Sequence, residues 1–285
     1  MNKQQILLVG GGIVVFCLIY FFGNTTPEKK PHADTEHRVE APVQTIDFNT
    51  ILSNSKQNLT PSQLELVNTL ENNLQITGNK EGKIEVYRQL ASFWRDTAHM
   101  LIPYAFYSGG AAKLENSEKS LTFAAQFFID GARLQGEPAK RNFMADEARK
   151  LFEQALELNP GNDSLKVGLG SCYLVGEISD NPMKGISLIR EVAERDPENM
   201  YAQLVLARGG MVSGQFDKAI ERLNVIVQKQ PENLEAIIML AEAYERHGEK
   251  ENAVKWYKTS LEHLDHLDHP EVLEEVKKKI EFLSK

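Results

Sequence analysis

The sequence has little of what marks a reactive centre. It holds two cysteines in 285 residues, Cys17 inside an apolar run and Cys172 far downstream. That number supports neither a disulfide framework nor a metal-type spacing, and it does not identify a compartment. Positive charge is not in excess either. The formal net charge is −8 and no dense Lys/Arg block occurs, which removes nucleic acid as a partner, because phosphate contacts need a basic face. Phosphate loops, nucleophile elbows, His-Glu-x-x-His pairs and dinucleotide fingerprints are all missing. Strand-like alternation of any length is missing too. No catalytic residue, cofactor or metal is expected, and the chain reads as a non-enzymatic protein.

Long apolar runs are equally scarce, with one exception. Residues Ile6 to Phe22, "ILLVGGGIVVFCLIYFF", contain no charge, at the short end of the roughly 17–25 residues a spanning helix needs. Tyr20, Phe21 and Phe22 crowd its far end as an interfacial belt would. The "GNTT" that follows is a poor signal-peptidase site, and Phe16 before Cys17 disfavours lipidation. The run therefore reads as an uncleaved single-pass anchor behind a short tail, residues 1–5. Lys3 stands before it and Lys29, Lys30 and Arg38 after it, so the positive-inside bias is weak. The expectation is an inner-membrane anchor with the C-terminal domain in the periplasm.

Residues 23–45 are polar, contain three prolines and read as a flexible linker. Residues 46–80 hold two helices as a lead-in, near 46–57 and 61–75, the second opened by the cap and first-turn proline of Thr60-Pro61. From residue 81 onward helix follows helix. Ile84, Tyr87, Leu90, Ala91 and Trp94 share one face; Leu121, Ala124, Phe127 and Phe128 share another; Ala148, Leu151, Phe152, Ala155 and Leu156 a third. The short Gly/Pro/Asn/Asp links make neighbouring helices antiparallel hairpins. Gly109-Gly110 in "YSGGAA" fall within a helical pattern and serve close packing.

A fixed interval organises the second half. Pro197-Glu198-Asn199 returns as Pro231-Glu232-Asn233, and 231 − 197 = 34 residues. Leu206 maps onto Leu240, Ala207 onto Ala241, Gly214 onto Gly248 and Ala219 onto Ala253. A period of this size signals stacked repeats. These residues resemble the tetratricopeptide repeat family: alanines where two helices cross, an aromatic at Tyr244, glycine turns at Gly214 and Gly248, and a proline closing each unit. The unit from Pro160 to Pro197 carries an insertion around "GEISDNPMKG" and stays in register at Leu169, Gly170, Tyr173 and Gly185. The preceding unit has a longer insertion around "QGEPAKRNFMAD". The expected fold is therefore all-α, a tetratricopeptide-type solenoid of antiparallel helix pairs behind a transmembrane helix. Residues 81–160 would hold degenerate pairs, 161–264 the regular repeats, and 265–285 a polar capping helix.

What the resemblance implies about function is a concave groove lined by the first helix of each pair. In this sequence the groove positions are Ser164, Val167 and Ser171; Tyr201, Leu204, Arg208 and Met211; Glu235, Ile238, Glu242 and Glu245. Chaperone-binding members carry a Lys/Arg/Asn cluster there that clamps a carboxylate. Here Arg208 is nearly alone, so that activity is not expected. The partner-binding residues expected are Tyr201, Leu204, Arg208, Met211, Glu235 and Glu242, with inter-repeat core as the competing reading of Leu204, Met211 and Ile238. His263, His266 and His269, with Asp265 and Asp268 between, read as a solvated turn, zinc binding being the weaker alternative. The partner would be a peptide or protein subunit in envelope assembly, secretion or quality control. Self-assembly into a homo-oligomer is the alternative.

Overall fold

The computed structural model describes residues 45–176, 178, 183–264 and 270–285. The anchor, the linker, the "EISDNP" insertion apart from Ile178, and His266 and His269 lie outside the described residues. Residues 44–285 form one unit, and the described part of it is thirteen α-helices without a strand. Two lead-in helices, α1 (Phe48–Lys56) and α2 (Pro61–Ile76), precede five hairpins. These are α3 (Lys80–Ser92) with α4 (Leu101–Glu115), α5 (Glu118–Arg133) with α6 (Pro138–Leu158), and α7 (Asp163–Val175) with α8 (Met183–Arg195). Then come α9 (Met200–Ser213) with α10 (Phe216–Lys229), α11 (Leu234–His247) with α12 (Lys250–Leu264), and a last helix, α13 (Pro270–Leu283).

The repeated tripeptide has a double task. Its proline cannot continue the preceding helix, and its asparagine caps the next one. The Asn199 side chain accepts a hydrogen bond from the Ala202 amide at 3.0 Å, and Asn233 accepts one from Ala236 at 3.0 Å. Asn162 does the same from Ser164 and Leu165, at 2.9 and 3.3 Å. Each cap satisfies amides that the first turn leaves unpaired. At the other end of α9 and α11, Gly214 and Gly248 take φ of +73° and +91°, the left-handed conformation that a Cβ disfavours.

The core is a chain of neighbouring clusters. Val67, Leu90, Trp94 and Tyr107 hold the lead-in to the first hairpin. Leu121, Phe128, Met144, Leu151 and Phe152 fill the second. Val167, Ile189, Val192 and Ala202 join the third to the fourth; Leu223, Ile226, Ile237 and Leu240 the fourth to the fifth; Tyr257, Val276 and Leu283 seat α13. Packing that passes mainly between neighbours is the mark of a solenoid. Ala207, Ala241, Ala219 and Ala253 are all 0% exposed, as crossing positions must be for two axes to approach. Gly110 serves the same end: a Cβ there would fall 2.3 Å from Tyr87 Cε1.

The structure adds two local details. The "QGEPAKRNFMAD" insertion is taken up largely by helix, because Pro138 to Asp146 form the first turns of the 21-residue α6. Proline at the first helical position starts it, and Met144 and Ala145, both 0% exposed, bury its inner face. The helix that leads to Trp94 also changes type at its end. It ends at Ser92 and continues as one π-turn, Phe93–Thr97, in which the Ala98 amide donates to the Phe93 carbonyl at 3.0 Å.

Candidate functional site

The first helices of the last three hairpins, α7, α9 and α11, carry the positions expected to face the groove. They do not form one open trough. Tyr201 on α9 reaches over α7, and its hydroxyl donates toward Gln126 Oε1 on α5 at 3.3 Å. Gln126 Nε2 donates in turn to both Asp130 oxygens at 3.0 Å, and Arg133 Nη1 to Asp130 Oδ1 at 2.5 Å. Burial raises the Tyr201 phenol above its ordinary range, while its hydrogen bond with Ser171 pulls the other way. Tyr201 packs on the cluster that contains Val167. Val167 and Ser171 are 0% and 1% exposed, so two positions expected to line the groove are enclosed at this point. Ser164, at the start of α7, is exposed and offers its amide to Asn162.

Beyond Tyr201 the face is open. Leu204 and Ile238 are half-buried, at matching positions of α9 and α11. Arg208 donates to the Glu235 carboxylate across those two helices. Met211 is 6% exposed within the core of the fourth and fifth hairpins, so for this residue the core reading holds and it offers no contact surface. Of the six expected contact residues, Leu204, Arg208, Glu235 and Glu242 therefore share the open stretch. Tyr201 borders it and Met211 lies below it.

The far end carries a contact that the sequence reading missed. Lys279 Nζ on α13 donates to Glu245 Oε2 at 2.9 Å, and the Tyr257 hydroxyl donates to the same oxygen at 2.6 Å. Burial raises Glu245, but these two bonds and the ammonium charge outweigh it and hold the carboxyl below its usual range. The signal was available, since Lys279 stands 34 residues after Glu245, one repeat period on. Glu242 fares differently. Burial raises its carboxyl, Lys279 and Arg246 oppose this, and Glu245 and Glu275 add to the rise. Its in-register neighbours are Arg208, already engaged by Glu235, and Val276, which is 4% exposed.

Cys172 is 0% exposed and burial drives its thiol far above the usual range, which leaves no reactive thiolate. Among the described residues no group of three His, Cys, Asp or Glu side chains could hold a metal ion. No described helix is long and apolar enough to cross a membrane.

Solved structures similar to this chain include a MamA protein, at 18% identity and a TM-score of 0.41, covering 64% of this chain and 92% of that one. MamA from Desulfovibrio magneticus RS-1 gives 18% and 0.43, covering 67% and 99%. YrrB, described as a TPR protein with an unusual peptide-binding site, gives 18% and 0.40, covering 68% and 99%. No curated protein matches the sequence. Residues 211–273, from the end of α9 into α13, match the family model described as tetratricopeptide repeat.

Proposed function

We propose that this chain is a non-enzymatic tetratricopeptide-repeat scaffold that holds a peptide or protein subunit on its concave face. Residues 6–22 would anchor it in the inner membrane with the repeats in the periplasm, where it would serve envelope assembly, secretion or quality control. The observation that carries the reading is the open stretch between Tyr201 and Lys279. Leu204 and Ile238 stand there half-buried on the same two helices as Arg208, Glu235 and Glu242. Apolar side chains rimmed by polar ones are how interfaces are built.

The test is site-specific photo-crosslinking in cells, with the crosslinker at Ile238 or, as a control, at the exposed Lys258 of α12. A discrete partner captured at Ile238, absent at Lys258 and lost with Arg208→Glu, supports the scaffold. Copies of the chain itself at Ile238 would replace it with self-assembly, and no capture at Ile238 would end the groove reading. Protease access to the repeats in spheroplasts decides the side of the membrane.

A further inference from the structure

The open stretch has a charge balance that narrows its partner. Four carboxylates face or border it, Glu235, Glu242, Glu245 and Glu275, and the cations within reach are already engaged. Arg208 serves Glu235, and Lys279 serves Glu245 while standing 5.4 Å over the Tyr257 ring. Arg246 lies 4.8 Å over the Phe216 ring. Glu242 is half-buried and has no hydrogen bond or ion pair among the described residues. One turn away on the same helix stands Ile238, level with Leu204 on α9. The face therefore offers an apolar step beside a carboxylate that feels the Lys279 and Arg246 charges without a direct hydrogen bond to either.

We infer that this stretch receives an extended segment carrying a Lys or Arg beside an apolar residue, with the cation on Glu242 and the apolar side chain on Leu204 and Ile238. The inference rests on the groove reading above and gives it a partner chemistry. A half-buried carboxylate gains most from a charged donor, since hydrogen bonds between ionised groups are about twice as strong as neutral ones. An acidic segment would meet repulsion from Glu242 and Glu275, since Glu235 and Glu245 already hold cations, which sets specificity as well as affinity. Tyr201 limits the register, because its span to Gln126 closes the face towards α5 and leaves the segment to run from Leu204 towards Lys279.

The experiment uses the full chain in detergent and three short acetylated and amidated peptides. One alternates Leu with Lys; in the other two, Glu or norleucine replaces the Lys. Binding is followed by fluorescence anisotropy, and a photo-crosslinker at Ile238 reports where the peptide sits. The Leu–Lys peptide is expected to bind and crosslink at Ile238, and Glu242→Gln to weaken it about tenfold. Glu262→Gln, an exposed charge on α12, should change nothing. Glu242→Lys should transfer the preference to the Leu–Glu peptide. Equal binding of the norleucine peptide at Ile238 would overturn the basic-residue inference and leave the groove standing. Peptides that bind without crosslinking at Ile238, or not at all, would overturn both. Equal weakening by Glu242→Gln and Glu262→Gln would mean diffuse attraction to an acidic protein and would also overturn the inference.

Discussion

Gly170 and Gly185 meet backbone to backbone where α7 crosses α8: a Cβ added to Gly185 would lie 2.6 Å from the Gly170 carbonyl oxygen. A backbone atom cannot swing aside as a side chain can, so the two helices would have to separate. Gly185→Ala is therefore expected to destabilise the protein by about 1–3 kcal/mol, the usual cost of overpacking. The urea midpoint against wild type measures it, and an unchanged midpoint would mean that the crossing is looser than drawn.

Gly209, on α9, is the contrasting case. A Cβ there meets Leu174 Cδ1 at 3.8 Å, an ordinary contact, and the position lies inside a helix. Gly209→Ala removes backbone freedom from the unfolded chain without a clash, so a gain of about 0.5–1 kcal/mol is expected. A higher melting temperature is the readout. A lower one would show that the small residue serves something outside this packing.

A buried ionic contact joins the first and second hairpins. Glu147 is 7% exposed overall and accepts from Lys113 Nζ at 2.8 Å and from Lys150 Nζ at 2.7 Å. Burial raises its carboxyl, yet the two lysines outweigh burial and hold it below the ordinary glutamate range. A depressed native value means stability that is complete above the ordinary value and lost as pH falls through the native one. Glu147→Ala should cost about 1–3 kcal/mol at neutral pH, and the gap to wild type should close in acid. Thermal melts of both proteins across that range test this, and a gap independent of pH would assign the loss to packing alone.

The lead-in is held by stacking. The Phe48 and Phe106 rings lie 3.4 Å apart at 11°, with Tyr107 edge-on to Phe48 at 5.7 Å. Helix α1 has nine residues, too few to be stable alone, so this anchor decides whether it stays folded. Phe48→Ala is expected to speed amide exchange throughout Phe48–Lys56 while the amides of α9 to α12 keep their rates, since solenoid stability is local. Exchange that rises equally along the chain would show that α1 supports the whole array.

The regular hairpins were legible because their signals are local and repeat. Pro-Glu-Asn at 197 and 231 marks a helix stop and a helix cap, and the alanines at 207, 219, 241 and 253 mark crossings. What escaped the sequence depends on contacts between distant residues. Nothing near Tyr201 announces that its hydroxyl will find Gln126, because that meeting needs α5, α7 and α9 to be wound together first. The first turns of α6 escaped for another reason: Gly136, Pro138 and the charged residues after them carry loop composition, and only the burial of Asn142, Met144 and Ala145 shows the helical face. Lys279 could have been found by extending the period of 34 from Glu245.

Glu242 joins stability to the open face. Burial raises its carboxyl in the native protein, so ionising it costs more there than in the unfolded chain. The sign is opposite to that of Glu147. The penalty is absent below the ordinary glutamate value, grows as pH rises between that value and the raised native one, and is complete above it. Glu242→Gln should therefore raise the melting temperature at about pH 7 and leave it unchanged in acid below the ordinary range. Glu242 is only half-buried, and solvent screens the effect, so the shift should be small. A carboxylate kept where it weakens the fold is typical of positions held for binding, since active and binding surfaces trade stability for function. A melting temperature lowered by Glu242→Gln at neutral pH would show instead that the ionised group is stabilised by its surroundings, and would remove Glu242 as the free charge of the groove.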